Sequence, residues 1–239
     1  MDAADLAIVG ALRAALAAQA DAERALGQQR YMKSAMPFHG IAMPELRRTV
    51  RSVVAAHPLP DRSSWLLAVR TIWDGATHRE QRYAAIALLR HPQYRSWLTP
   101  DDAVLELVRQ LIIAGAWWDV VDELASHVVG ALLRVDPATM TPVLRAWAVE
   151  ENLWVRRSSI LSQLGAKRRT DTELLRFALE GSIDDGNFFA RKAIGWALRE
   201  YSKSDETWVR NYVDGNASRL SALSQREALK WLAGRPASS

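Results

Sequence analysis

The chain has 239 residues, 49% of them hydrophobic, so it is long enough to bury a sizeable core. The absence of Cys excludes disulfides and thiolate metal sites, and we find neither an apolar run of about 18 residues nor a signal segment. The 31 Lys and Arg against 27 Asp and Glu give a net charge of +4, which permits a nucleic-acid partner without requiring one.

Sequence signals for the starts of helices occur along the whole chain. The first predicted element is an Ala-rich amphipathic helix over 1–24, and Pro44 stands where a first helical turn tolerates proline. The stretch TPDD at 99–102 offers a cap, a proline at the first helical position and two acids. TDTE at 170–173 and SQRE at 224–227 each fit a capping box. Since strand patterns are scarce, we predict an all-α fold.

A repeat of related helices runs through the chain. The apolar residues Ile86, Leu124, Ile160 and Ile194 are separated by 38, 36 and 34 residues and lie in similar helical contexts. A period near 36 residues with two helices per unit is typical of a stacked helical array. We therefore predict a right-handed solenoid, an alpha-alpha superhelix, of about six helix pairs with a concave basic face.

The domain organisation follows from this repeat. We expect one helical-repeat domain over 1–239, with a disordered tail at 234–239. In such an array the second helices of successive units line one surface. The register then directs Asp122, Arg157, Lys192 and Trp196, which come from three different repeats, toward one shared groove.

The stretch GAWWDVVDELASH at 115–127 combines aromatic and acidic side chains. Trp118 and Asp122 are four residues apart and so share one helix face. Spacing alone favours ordinary packing for this tryptophan, and a functional site is the alternative. The five His show no metal-binding spacing and the chain has no Gly-rich phosphate loop, so we expect no metal and no cofactor.

Four segments carry a resemblance to a known family. They are AWWDVVDELASHVVG at 116–130, LWVRRSSI at 153–160, NFFARKAIGWALREYSK at 187–203 and RYMKSAMPFHGI at 30–41. Together they resemble the AlkD-like DNA alkylation-repair glycosylases, which are built from HEAT-like repeats. The resemblance extends from about residue 25 to residue 233, nearly the whole chain.

The resemblance implies roles for individual residues. Trp118 and Asp122 match the family's aromatic and acidic catalytic pair, and Trp196 matches a second catalytic aromatic residue. Arg157 matches an arginine that holds the DNA backbone beside the lesion. Further DNA-binding positions match Arg191, Lys192, Arg199, Lys33, Tyr31, Phe188 and Phe189, although packing is an equally open role for the aromatic residues among them.

The function implied is base excision repair of alkylated double-stranded DNA. We expect a monofunctional DNA glycosylase that hydrolyses the N-glycosidic bond of cationic purines (N3-alkyladenine, N7-alkylguanine) and leaves an abasic site, without flipping the base into a pocket. We expect a cytoplasmic monomer with no membrane association and no obligate protein partner. The alternatives are a non-catalytic helical-repeat protein that recognises DNA structure and a protein–protein scaffold.

Overall fold

The structure, a computed structural model, describes residues 3–233, with side chains from residue 7. Across this range the regular structure is entirely helical and contains no strand, so the predicted all-α fold is confirmed. The predicted disordered tail at 234–239 lies outside the described residues. None of the described helices combines the length and the apolar content that crossing a bilayer requires.

The chain divides into two compact units, Met1–Leu107 and Val108–Ser239. A single repeat domain over the whole chain therefore stays a prediction. The first unit contains α1 (Ala3–Ala17), α2 (Ala22–Met32), α3 (Met43–Ala56), α4 (Arg62–Asp74), α5 (Arg79–Leu89), a 3-10 helix (Pro92–Trp97) and the start of α6 (Asp102–Gly115).

The second unit begins within α6 and carries the residues of greatest interest. A continuous helical rod is formed by α7 (Trp118–Glu123), a π-helical segment (Leu124–Val129) and α8 (Gly130–Val135). It is followed by α9 (Pro137–Ala148), α10 (Leu153–Leu161), a 3-10 helix (Lys167–Arg169), α11 (Thr172–Glu180), α12 (Phe188–Ser202), α13 (Glu206–Gly215) and α14 (Ala222–Leu229).

The predicted helix over 1–24 is wrong in extent, because the structure forms two helices there. The first, α1, ends at Ala17, and Asp21 then caps α2 by accepting a hydrogen bond from the Arg24 N–H at 2.9 Å. A carboxylate at this position satisfies a free N–H of the first turn and so favours a new helix start over continuation. Pro44 lies in the first turn of α3, as predicted.

Other helices also begin where an acid, and not the predicted residue, supplies the cap. Asp101 accepts from the Val104 N–H at 3.2 Å, so α6 starts after Pro100 and not at it. Asp171, and not Thr170, caps α11 by accepting from two backbone N–H groups. Aspartate is the stronger cap of the two, because its carboxylate also interacts favourably with the helix dipole.

The four repeat positions are buried. Ile86, Leu124, Ile160 and Ile194 are each exposed by 2% or less. In the second unit Ile160 and Ile194 lie in one apolar core that α10, α11, α12, α13 and α14 share. This core fixes the rotation of α10 and α12, and with it the direction in which their polar residues point.

A buried carboxylate organises a loop in the first unit. Glu80 is fully buried and accepts backbone N–H bonds from His39, Gly40 and Ile41 at 2.9, 2.8 and 3.1 Å. Gly40 has a φ of +90°, and a Cβ there would lie 2.1 Å from the Asp21 carbonyl oxygen. The segment around residues 38–41 thus depends on one acid and one glycine.

Replacing Glu80 with Ala should destabilise the first unit. The change leaves three buried N–H groups without an acceptor, at an expected cost of about 3 kcal/mol or more in the free energy of unfolding. Urea denaturation followed by circular dichroism measures this. Glu23→Ala, the same change at an exposed position, should cost about 0.5 kcal/mol or less. Equal stability of the two variants would contradict this role for Glu80.

Candidate functional site

The rod from α7 to α8 presents the first two site residues. Trp118 is the first residue of α7 and Asp122 lies one turn later, on the same face as the spacing predicted. The π segment that follows, Leu124–Val129, replaces the regular helix that the sequence pattern favoured. Its wider turn rotates the residues after Asp122 relative to a regular α-helix, and such segments are frequent at functional sites.

Asp122 forms a two-pronged ion pair with Arg157 of α10. The Arg157 Nε and Nη2 atoms donate to the two carboxylate oxygens at 2.7 and 2.8 Å. The Arg157 Nη1 atom also donates to the backbone carbonyl of Phe189 at the start of α12. One guanidinium therefore joins α7, α10 and α12.

This ion pair is largely shielded from solvent. The side chains of Asp122 and Arg157 are only 12% and 4% exposed. Burial raises the pKa of the Asp122 carboxyl, Asp119 raises it further, and the hydrogen bonds and charge of Arg157 oppose that rise. Arg157 was predicted to hold the DNA backbone; in this structure its guanidinium holds Asp122 and α12.

A cleft of about 320 Å³ opens beside the ion pair. Its lining comes from four helices of the second unit and consists of Trp118, Asp122, Arg157, Phe188, Phe189, Lys192, Trp196, Arg199 and Glu227. The cleft thus brings together all three predicted catalytic residues and five of the predicted DNA-binding residues. The two tryptophans are half-buried, so each keeps some ring surface toward solvent.

Glu227 is a cleft residue that the sequence assigned to another role. Its carboxylate lies 3.0 Å from the Lys192 Nζ and 2.8 Å from the Arg199 Nη1. The predicted capping box at 224–227 is wrong, because Ser221 caps α14 by accepting from the Ser224 N–H at 3.0 Å. Glu227 is therefore free of the helix terminus and faces α12.

Aromatic rings support one wall of the cleft. The Phe189 ring lies 5.3 Å from the ring of Trp117 and 5.0 Å from that of Trp154. Phe189 thus packs as well as lining the cleft, which fits the packing role left open for it. Phe188 lies against it at 5.4 Å and is 58% exposed, so it presents an aromatic surface at the rim.

Comparison with known proteins identifies the family. The family model described as "DNA alkylation repair enzyme" matches residues 12–232. The chain belongs to this family of DNA alkylation repair enzymes. A comparison with curated proteins finds no match.

Solved structures agree with this family assignment. The chain is similar to a predicted DNA alkylation repair enzyme from Enterococcus faecalis, with 30% identity over 91% of this chain and 98% of that one and a TM-score of 0.77. Two Streptococcus mutans proteins share the fold. AlkD2 is 16% identical, with 83% of this chain and 92% of that one covered and a TM-score of 0.59. The protein smu.31 is 17% identical, with 79% of this chain and 92% of that one covered and a TM-score of 0.60.

Three predicted DNA-binding residues of this repair protein are not among the residues that line the cleft. Arg191 donates from its Nε to the Asp185 carbonyl at 3.2 Å. Tyr31 and Lys33 belong to the first unit, where Tyr31 is 75% exposed and Lys33 ends α2 with a φ of 50°. Their contact with DNA stays a prediction.

Two residues were missed by the sequence analysis: Glu227, which lines the cleft, and Trp154, which packs against the lining residue Phe189. Trp154 lies in LWVRRSSI, three residues before Arg157, so the motif contained it, but local spacing gave no reason to place it against Phe189. Within the described part of the chain, no group of three or more His, Asp or Glu side chains is arranged to hold a metal ion.

The buried ion pair generates a stability prediction. Arg157→Ala leaves the Asp122 carboxylate buried without its partner and should lower the free energy of unfolding by about 3–5 kcal/mol. Combining Asp122→Leu with Arg157→Met removes both charges and should recover most of that loss. Urea denaturation of the single and double variants measures the coupling between the two positions.

Arg168, an exposed arginine of the same unit, provides the control for these measurements. Arg168→Ala should change stability by about 0.5 kcal/mol or less. If the double variant is no more stable than Arg157→Ala, the loss comes from the packing of the arginine side chain and not from an unpaired charge.

Proposed function

We propose that the protein is a monofunctional DNA glycosylase that releases N3-alkyladenine and N7-alkylguanine from duplex DNA. The observation that carries this proposal is a fixed carboxylate, Asp122, in a cleft that also presents Trp118 and Trp196. Membership in the DNA alkylation repair family supports the choice of substrate.

The chemistry follows from the charge of the substrate. A purine alkylated at N3 or N7 is cationic, so when the bond to C1′ breaks the electron pair goes to the base, which leaves neutral and needs no acid to protonate it. The sugar becomes an oxocarbenium-like cation. Water then bonds to C1′ and loses a proton, which completes an abasic site.

The cleft residues suit this transition state. A carboxylate held in place by Arg157 stabilises the positive charge at C1′ and can orient the attacking water. The indole faces of Trp118 and Trp196 attract the same cation, each by about 0.5–2 kcal/mol depending on desolvation. Positive charge that appears only as the bond breaks is thus met by groups already in position.

The cleft supports a mechanism without base flipping into the protein. Glycosylases that flip a base read its Watson–Crick edge with hydrogen-bonding side chains. Among the described residues that line this cleft there is no Asn, Gln, Ser or Thr, and its charged groups pair with one another. We infer that the cleft grips the sugar and backbone and leaves the base outside.

Substitution of the carboxylate tests the proposed activity. Asp122→Asn should lower single-turnover release of 7-methylguanine from methylated duplex DNA by about 100–1000-fold, the range seen when one electrostatic stabiliser of a transition state is removed. Base release is measured by chromatography against an enzyme-free control. If wild type binds the duplex but releases no base, the protein recognises DNA structure without catalysis, and the glycosylase proposal fails.

The pH dependence supplies an independent test. The reaction needs the ionised carboxylate, and burial raises the pKa of Asp122 above that of an ordinary aspartate. Activity should therefore be present above this raised pKa and fall as pH drops through it, at a higher pH than for an exposed aspartate. Residual activity of Asp122→Asn should lack this acidic limb, and an identical limb in both proteins would assign the titration to another group.

A further inference from the structure

Glu227 bridges two cations of the cleft. Its two carboxylate oxygens contact the Lys192 Nζ and the Arg199 Nη1, which lie about two turns apart on α12. The Glu227 side chain is 16% exposed, and the Lys192 and Arg199 side chains are 36% and 27% exposed. The acid is thus the inner member of the group, and the two bases extend past it toward solvent.

The close packing of α14 on α12 places Glu227 there. A Cβ at Gly195 of α12 would lie 2.5 Å from the Glu227 Cβ and 3.0 Å from the Ser224 carbonyl oxygen. The Ser224 hydroxyl also donates to the Arg191 carbonyl at 3.0 Å. Only glycine permits this approach, so the backbone brings the Glu227 Cβ close to α12, and the contacts with Lys192 and Arg199 then hold its carboxylate.

The negative charge of Glu227 changes the charge balance of the cleft. The lining carries three cations (Arg157, Lys192, Arg199) and two carboxylates (Asp122, Glu227). The hydrogen bond from Lys192, together with the neighbouring positive charges, lowers the pKa of the Glu227 carboxyl. The group is therefore ionised at neutral pH. A carboxylate beside two phosphate-binding cations weakens general attraction to DNA, since it repels phosphates.

Such a loss of attraction is compensated if the carboxylate restricts where the cations point. A free lysine and a free arginine sample many rotamers, and ordering them on a phosphate costs conformational entropy. Held by one fixed acid, they present their remaining N–H donors at defined positions, because lysine has three donors and arginine has five.

We propose that Glu227 is a positioning residue that fixes Lys192 and Arg199 to receive one particular DNA phosphate beside the Asp122 cleft. The proposal rests on the proposed function, because it takes DNA with a sugar cation as the ligand of the cleft. It assigns to Glu227 no contact with the reacting atoms. The phosphate so held sets the register of the strand, and thereby delivers one sugar to Asp122.

A phosphate scan tests this assignment without needing turnover. The probes are duplexes with one pyrrolidine abasic site, a cationic mimic of the oxocarbenium sugar, and one neutral methylphosphonate at successive backbone positions. For wild type, one position near the site should weaken binding about tenfold, the cost of losing a charge-assisted contact. For Glu227→Gln the same substitution should cost about threefold or less, because the two cations are no longer fixed.

Two further readouts separate positioning from a structural role. Glu227→Gln should bind undamaged duplex as tightly as wild type or more tightly, since a negative charge has left the cleft, and its melting temperature should stay close to that of wild type. Glu200→Gln, which removes an acid of α12 that pairs with Lys203, should keep the wild-type scan. Binding that weakens in parallel with a fall in melting temperature would make Glu227 only a helix clamp.

The outcomes distinguish this proposal from the proposed function. A flat scan in wild type, or an unchanged tenfold penalty in Glu227→Gln, overturns the positioning role even if wild type releases alkylated bases. A position-specific penalty in wild type that Glu227→Gln abolishes supports the role even if no base is released, in which case the glycosylase chemistry alone has failed.

Discussion

The buried ion pair of Asp122 and Arg157 is the interaction on which the site depends. The two paired residues are 35 positions apart in sequence and lie on α7 and α10. A third donor of Arg157 reaches the start of α12. A buried pair of this kind contributes little net stability compared with apolar packing, but loss of one partner is costly. The consequence is geometric, because a movement of Asp122 away from this position would leave the buried Arg157 guanidinium without its partner.

The same pair limits what the carboxylate can do by itself. In the proposed mechanism, the neutral pair that Asp122 forms with Arg157 attracts a sugar cation less strongly than an isolated carboxylate would. In that mechanism the electron-rich faces of Trp118 and Trp196 supply additional attraction for the cation. The proposed mechanism thus gives a reason for an acid and two indoles to occur together in one cleft.

Local spacing predicted which residues of the cleft share one helix face, whereas their assignment to a functional site came from the family resemblance. Trp118 and Asp122 share a face through four-residue spacing, and the repeat register directed Asp122, Arg157, Lys192 and Trp196 to one groove, which the cleft confirms. What the sequence could not supply are contacts set by packing between distant helices. Glu227 contacts a residue 28 positions away, and its local pattern suggested a helix cap. The π segment is equally hidden, because LASHVV also suits a regular helix.

The pKa values of the two acids in the cleft are shifted in opposite directions, and the difference follows from their surroundings. Burial raises the pKa of Asp122 although Arg157 opposes this rise, whereas Lys192 and its neighbouring cations lower the pKa of Glu227. In the proposed positioning role, a carboxylate kept charged by two half-buried cations is suited to hold them, because its two oxygens already contact them. In the proposed mechanism Asp122, the carboxylate that shares the cleft with Trp118 and Trp196, receives the sugar cation, and Lys192 and Arg199, which Glu227 contacts, receive the phosphate. The proposed chemistry is therefore assigned to α7 and the proposed phosphate contacts to α12.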